Sequence, residues 1–324
     1  MKPWKHLTTP LLATVFACAS SGSASGPGPE ATPAPSAAPS PAAKPSASGG
    51  KALEEAKKLA RDGKLPEARA AAEKVAAESP NVEEAHLLAA SIASMAGDAA
   101  GAKAAIERGL AALPQSAQLH HEYGMNALEA NQMPLAVKEL EESLKLFGPR
   151  RGADVLADLA YAYLFVDRLD DAEKLAGEAR GIDPKLYAPA FTHGEALLRL
   201  KRFPEAAKAY QAAAALQPDD PLPRTRLAAA LMKAKDFAGA VPVLESVQKT
   251  ASAEEKPSLL AALAQCYLET GRPKDAVATA KQASELNPSD PNLLSLLADA
   301  EEAAGDKAAA KKTRAKIPSG GKKK

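Results

Sequence analysis

Four of the five histidines, one cysteine and several paired carboxylates are the residues whose chemistry could matter in this chain. His121-Glu122 opens the pattern H-E-x-x-H, in which two imidazoles one helical turn apart bind zinc and the glutamate activates water. Met125 stands where the second imidazole is required, so the pattern fails. His86, His120 and His193 lack a Cys or carboxylate at ligand spacing and are expected to pack between helices. Gly97 to Lys103 only mimics a phosphate-binding loop, and Gly22 to Gly26 places Ala24 where a nucleophile elbow needs serine. Cys266, beside Tyr267 in a helical stretch, reads as a small apolar residue. Asp170-Asp171 and Asp219-Asp220 fall at helix starts or turns, where acids offset the helix dipole. No catalytic residue, metal site or cofactor is expected from these residues.

The elements that would have to position any site are repeated. Small residues recur at one offset in eight consecutive blocks: Ala56, Ala90, Gly124, Ala160, Gly194, Ala228, Ala264 and Ala298. Twelve residues after each stands Ala68, Ala102, Ala136, Ala172, Ala206, Ala240, Ala276 or Ala310. Blocks begin 34 residues apart except for two steps of 36, and a fixed period of this size signals stacked helix hairpins. Gly63, Gly97, Asn131, Asp167, Gly271 and Gly305 fall seven residues after the first small position, where a left-handed turn must end the first helix. Lys201 and Lys235 hold that place in the other two blocks. Pro80, Pro114, Pro184, Pro218 and Pro288 stop the second helix. The extra residues of the longer steps fall around Phe147–Gly152 and Ser252–Lys256.

With Tyr123-Gly124, Ala136 and Leu140 in the third block, Tyr163, Ala172 and Pro184 in the fourth, and Gly194, Ala206, Tyr210 and Pro218 in the fifth, residues 49 to 316 resemble the tetratricopeptide repeat. The tryptophan usual near the start of that motif is absent, with His86, His120 and Leu260 in its place. The resemblance implies an all-α fold: a right-handed α-solenoid of about eight helix-turn-helix repeats, spanning residues 51–316, with first-helix side chains lining a concave groove. Its implied groove residues are Leu87, then His121, Met125 and Leu128, then Tyr161, Leu164 and Phe165. Further along they are Phe191, Glu195, Leu198 and Arg199, followed by Met232 and Leu268. A partner helix or extended peptide suits such a trough. The family's carboxylate-clamp subset uses Lys, Asn and Arg on this face. Ala157, Tyr161, Phe191 and Glu195 stand there instead, which disfavours a receptor of that kind.

The first fifty residues read as an address and a tether. A basic start at Lys2 and Lys5 precedes the apolar run Leu11–Ala17, too short to span a bilayer. Val15-Phe16-Ala17-Cys18 resembles a bacterial lipoprotein signal over residues 1–18, which implies that Cys18 becomes a lipid-modified N-terminus. Ala19, rather than aspartate, then implies the outer membrane, at its periplasmic face. The alternative is ordinary secretion, with Ala17-Cys18-Ala19 as a cleavage site and a soluble periplasmic product. Residues 19–50 are almost wholly Ala, Ser, Pro and Gly and are expected to be a disordered tether. Residues 317–324 are expected to be a disordered basic tail. The net charge of +1 gives no reason to expect nucleic acid. The expected function is a non-enzymatic scaffold at the cell envelope that binds a protein partner, in a layout resembling pilotin-type lipoproteins that serve pilus or secretion-pore assembly. An enzyme on a repeat scaffold is the third reading, disfavoured because no second folded domain lies outside the array.

Overall fold

A computed structural model of the chain describes residues 46–150 and 152–317, and these are helical throughout, with no strand among them. Cys18, expected to be lipid-modified, and the rest of the expected signal, most of the expected tether and the tail from residue 318 lie outside the described residues. Sixteen α-helices follow one another as eight hairpins. They are α1 (Ala47–Arg61) with α2 (Leu65–Glu78), α3 (Glu83–Met95) with α4 (Ala99–Ala112), and α5 (Ala117–Glu129) with α6 (Met133–Phe147). Next come α7 (Ala153–Phe165) with α8 (Leu169–Ile182), α9 (Tyr187–Arg199) with α10 (Phe203–Leu216), and α11 (Pro221–Lys233) with α12 (Phe237–Gln248). The last are α13 (Lys256–Glu269) with α14 (Pro273–Leu286), and α15 (Pro291–Ala303) with α16 (Lys307–Arg314). Each helix packs on its predecessor and its successor, and odd helices also touch the next odd helix along much of the array. That geometry is a solenoid in which the odd helices occupy the side where repeats approach each other.

Close crossing explains the small residues. All fourteen alanines of the two series are at most 3% exposed. The two glycines answer to a larger neighbour on the paired helix: a methyl at Gly124 would lie 2.5 Å from Leu140, and one at Gly194 would lie 2.7 Å from Tyr210. Between the crossings, the largest fully buried side chains include Tyr210, Leu53, Ile92, Leu119, Leu140 and Leu156.

The turn inside every hairpin uses one left-handed residue, as the spacing requires: Gly63, Gly97, Asn131, Asp167, Lys201, Lys235, Gly271 and Gly305 all have φ between 55° and 88°. Lys201 (φ 61°) and Lys235 (φ 62°) adopt it against the steric cost that a Cβ brings. Asp167 (φ 62°) is held there from the next repeat, its carboxylate accepting from Arg199 Nη2 at 2.7 Å. The prolines sit two residues beyond the ends of α2, α4, α8, α10 and α14. Helix α1 begins at Ala47, four residues ahead of the expected boundary, because Ser46 Oγ caps it by accepting from Gly49 N at 3.1 Å.

The two 36-residue steps open the longer connections after α6 and α12, and the repeat after each carries the same side-chain clamp. Tyr163 Oη donates to Glu141 on α6 at 2.7 Å, and the Arg168 guanidinium lies over the Tyr163 ring at 3.9 Å while pairing with Asp171. Tyr267 Oη donates to Glu245 on α12 at 2.6 Å, with Arg272 over its ring at 4.3 Å and paired with Asp275. Tyrosine occurs three residues after the first small position only in these two blocks. The clamp thus ties the repeats together where the connection is longest.

Ala136→Leu or Ala206→Leu is expected to overpack a crossing and lower stability by about 1–3 kcal/mol in chemical denaturation. A midpoint unmoved by both changes contradicts this register of crossings. Tyr267→Phe, which removes only the donor of one clamp, is expected to cost about 1 kcal/mol. Faster amide exchange should be confined to α12, α13 and the connection between them.

Candidate functional site

The described histidines are absorbed by structure. His86 is 3% exposed and its Nε2 donates to the Pro80 carbonyl at 2.8 Å; His120 Nε2 reaches the Pro114 carbonyl at 3.2 Å from the equivalent place one repeat on. In the tryptophan position of the motif, both rings therefore hold the end of the preceding helix. His120 Nδ1 also faces Glu139 Oε2 at 2.7 Å. His193 Nδ1 accepts from Arg180 at 2.7 Å and its Nε2 faces Glu173 at 3.3 Å. Burial pushes the His193 pKa down, helped by the charges of Arg180 and Arg202 and resisted by Glu173. Among the described residues, no three His, Cys, Asp or Glu side chains gather closely enough to hold a metal ion. Cys266 is fully buried, and burial, with the charge of Glu269, pushes its thiol up to about 11, far from a reactive thiolate.

The groove residues divide by what they touch. His121 is 8% exposed and bridges two odd helices, its Nε2 at 2.9 Å from Asp158 Oδ2 on α7. Leu164 is buried and Leu128 half-buried in one cluster with Leu140, Leu159 and Tyr163. Phe191 and Leu198 pack against Leu197, Tyr210 and Leu227. Met232 and Leu268 pack against the Val241, Leu244 and Tyr267 cluster. Leu87, Met125 and Tyr161 are half-buried. Glu195 accepts from Tyr210 Oη at 2.7 Å and is ion-paired with Arg226, whose Nε lies at 3.0 Å. Arg199 is exposed but engaged, donating to the Leu164 carbonyl and to Asp167.

Two large apolar side chains stay open on the odd helices, Phe165 on α7 and Met95 on α3, and the first lies in an aromatic setting. Phe165 is 52% exposed and meets Tyr161 edge to face at 4.9 Å. One repeat on, Phe191 stacks on Tyr187 at 5.6 Å and meets the buried Tyr210 ring edge-on at 5.7 Å. Met95 on α3 is 60% exposed. Tyr187 was not among the groove residues expected from sequence, although its place one turn before Phe191 is a legible signal. Ile182 and Leu286, exposed at the ends of α8 and α14, had no such signal.

The chain's similarities agree with this architecture. Family models of the tetratricopeptide repeat match residues 191–255 and 234–300. No curated protein matches the sequence. Among solved structures, the C-terminal part of a TPR repeat-containing protein from Cytophaga hutchinsonii is similar at 17% identity and a TM-score of 0.57, covering 76% of this chain and 99% of its own. A tetratricopeptide repeat protein from Parabacteroides merdae is similar at 13% identity and a TM-score of 0.52, covering 77% and 97%. PilF of Pseudomonas aeruginosa is similar at 17% identity and a TM-score of 0.52, covering 67% and 97%. At these identities the likeness is one of fold.

The His121–Asp158 bridge sets a pH dependence. Burial opposes the charged imidazole, but the hydrogen bond and charge of Asp158, with Glu122 and Asp154, outweigh it and raise the His121 pKa. A base whose pKa is raised on folding stabilises the fold fully below its unfolded value, about 6.5, and loses that contribution as pH rises through the folded value. Asp158→Asn is therefore expected to cost about 1–2 kcal/mol at pH 5.5 and clearly less at pH 8.5. Equal costs in urea denaturation at the two pH values contradict the assignment.

Proposed function

We propose that these tetratricopeptide repeats serve as a protein-binding scaffold at the cell envelope, which holds a partner helix or extended peptide against the odd-helix face. Repeats of this family bind protein partners in general, and they are generally non-catalytic. The observation that carries this reading is the aromatic step on α7. Phe165 is left half in solvent beside Tyr161, in an array that otherwise buries most of its large apolar side chains. Aromatic side chains supply much of the contact energy at interfaces for little ordering entropy, and exposed ones on one face mark a binding surface.

The envelope location rests on the lipoprotein-type signal ending at Cys18, with residues 19–50 as the tether and the outer membrane as destination. Two or more acyl chains on Cys18 would make the anchoring stable, where one would not. The layout of signal, tether and repeats resembles pilotin-type lipoproteins, so assembly of a pilus or secretion pore is the process we favour. A soluble periplasmic adaptor with the same face is the second reading, favoured if Ala17-Cys18-Ala19 is cut as an ordinary signal site.

Two arms test the proposal. Palmitate labelling and membrane fractionation of the wild type, both lost in Cys18→Ala, are expected from the anchor; soluble, unlabelled wild type selects the adaptor. In quantitative crosslinking from cells, Tyr161→Ala/Phe165→Ala is expected to lose a partner more than about tenfold, whereas Ile182→Ala/Leu286→Ala keeps it. Equal recovery by both variants sinks the odd-helix face as the binding surface.

A further inference from the structure

We propose that the segment held on the odd-helix face carries a lysine or arginine flanked on both sides by a large apolar side chain. Met95, Glu129 and Phe165, in that order, receive the apolar, cationic and apolar groups. This rests on the reading of that face as the binding surface and names the chemistry of its occupant.

Every first helix of the array ends on an exposed residue, so packing does not choose what stands there. Arg61, Arg199 and Lys233 fill that place with cations, as the helix dipole favours, and Ala303 fills it with a small residue. Helices α3, α5 and α7, which touch in succession, depart from this together. Helix α3 ends on Met95, 60% exposed, and α7 on Phe165, 52% exposed with Tyr161 edge to face against it at 4.9 Å. Between them α5 ends on Glu129, an acid where the dipole disfavours one. Its carboxylate enters no ion pair or hydrogen bond among the described residues. Glu269 holds the same place on α13, but its neighbours in the row are Lys233 and Ala303 rather than large apolar groups.

Charge complementarity selects the occupant. Helices α3, α5 and α7 carry six acids and no lysine or arginine. Glu122 and Asp154, like Glu129, enter no ion pair among the described residues, so the field over these three helices attracts a cation and repels an acidic segment. Two repeats beyond α7 the sign reverses, since α11 carries Arg224, Arg226 and Lys233 and no acid. An acidic segment would therefore settle away from the row. Spacing sets the pattern that the occupant needs. Helices in contact lie about 8–10 Å apart, and a polyproline-II segment repeats its side-chain direction every three residues while advancing about 9 Å. Residues i, i+3 and i+6 of such a segment meet the three helix ends in turn.

The test uses the full chain carrying Cys18→Ser, so that no acyl chain contributes, and two labelled peptides in an anisotropy titration. One peptide is Leu-Pro-Pro-Arg-Pro-Pro-Leu, and the other has glutamate at its centre. The arginine peptide is expected to bind about fivefold more tightly at low salt, with the difference shrinking at high salt. Glu129→Lys is expected to reverse that preference. This change removes no described contact and places a cation where the helix dipole favours one, so the fold persists. Met95→Ala or Phe165→Ala is expected to weaken both peptides about tenfold, whereas Ile182→Ala/Leu286→Ala leaves them unchanged. Equal binding of the two peptides, binding of neither, or a preference that survives Glu129→Lys overturns the proposal. Crosslinking in cells separates this failure from failure of the binding face. A partner lost by Tyr161→Ala/Phe165→Ala but kept by Glu129→Lys leaves the face standing and sinks this occupant.

Discussion

The structure depends on how near two helices can come. At each of eight crossings neither helix carries more than a methyl, and where Leu140 or Tyr210 leans into the crossing the opposite residue is reduced to glycine. Buried alanines contribute little transfer energy one by one, so stability has to accumulate through repeated nearest-neighbour packing. It is collected by larger side chains between crossings, such as Ile92, Leu119, Leu156 and Leu197. A chain of 324 residues with few aromatics can be built this way because no part of it needs a deep core.

Polar contacts act on the joints rather than on the crossings. His86 and His120 close the end of a preceding helix, Arg199 holds the left-handed Asp167, and the two Tyr–Arg–carboxylate clamps bridge the longer connections. Partly exposed pairs of this kind contribute on the order of 1 kcal/mol or less each. Their main effect is on registry: each selects one placement of a repeat on its neighbour. Six of the eight second helices begin in one of two ways, while Lys64 and Gln132 precede α2 and α6 with no side-chain cap. Asp98, Asp236 and Asp306 cap their helix directly by accepting from a backbone N–H, whereas Arg168, Arg202 and Arg272 pair with an acid three residues on.

Function is left to whatever packing does not consume. Much of the apolar odd-helix side chain area goes into neighbouring repeats, as Leu164, Leu198 and Leu268 illustrate, and the aromatic edge at Phe165 stands out because it does not. Charge is likewise taken up in local pairs along the array and remains in excess at its carboxyl end.

Sequence alone determined the repeat, the paired helices and their turns, because those depend on contacts within one block: a small residue at a crossing, a left-handed residue seven positions on, a proline past the helix end. Even Lys201 and Lys235, poor turn residues, were placed correctly by period. Tertiary structure decided which first-helix residues stay in solvent and which face the next repeat. Phe165 and Leu164 are adjacent in sequence, yet one is half in solvent and the other buried, a difference set by the offset between stacked repeats. The clamps at Tyr163 and Tyr267 were hidden for the same reason: their acids lie 22 residues earlier in both cases, and only packing across a junction brings them into contact.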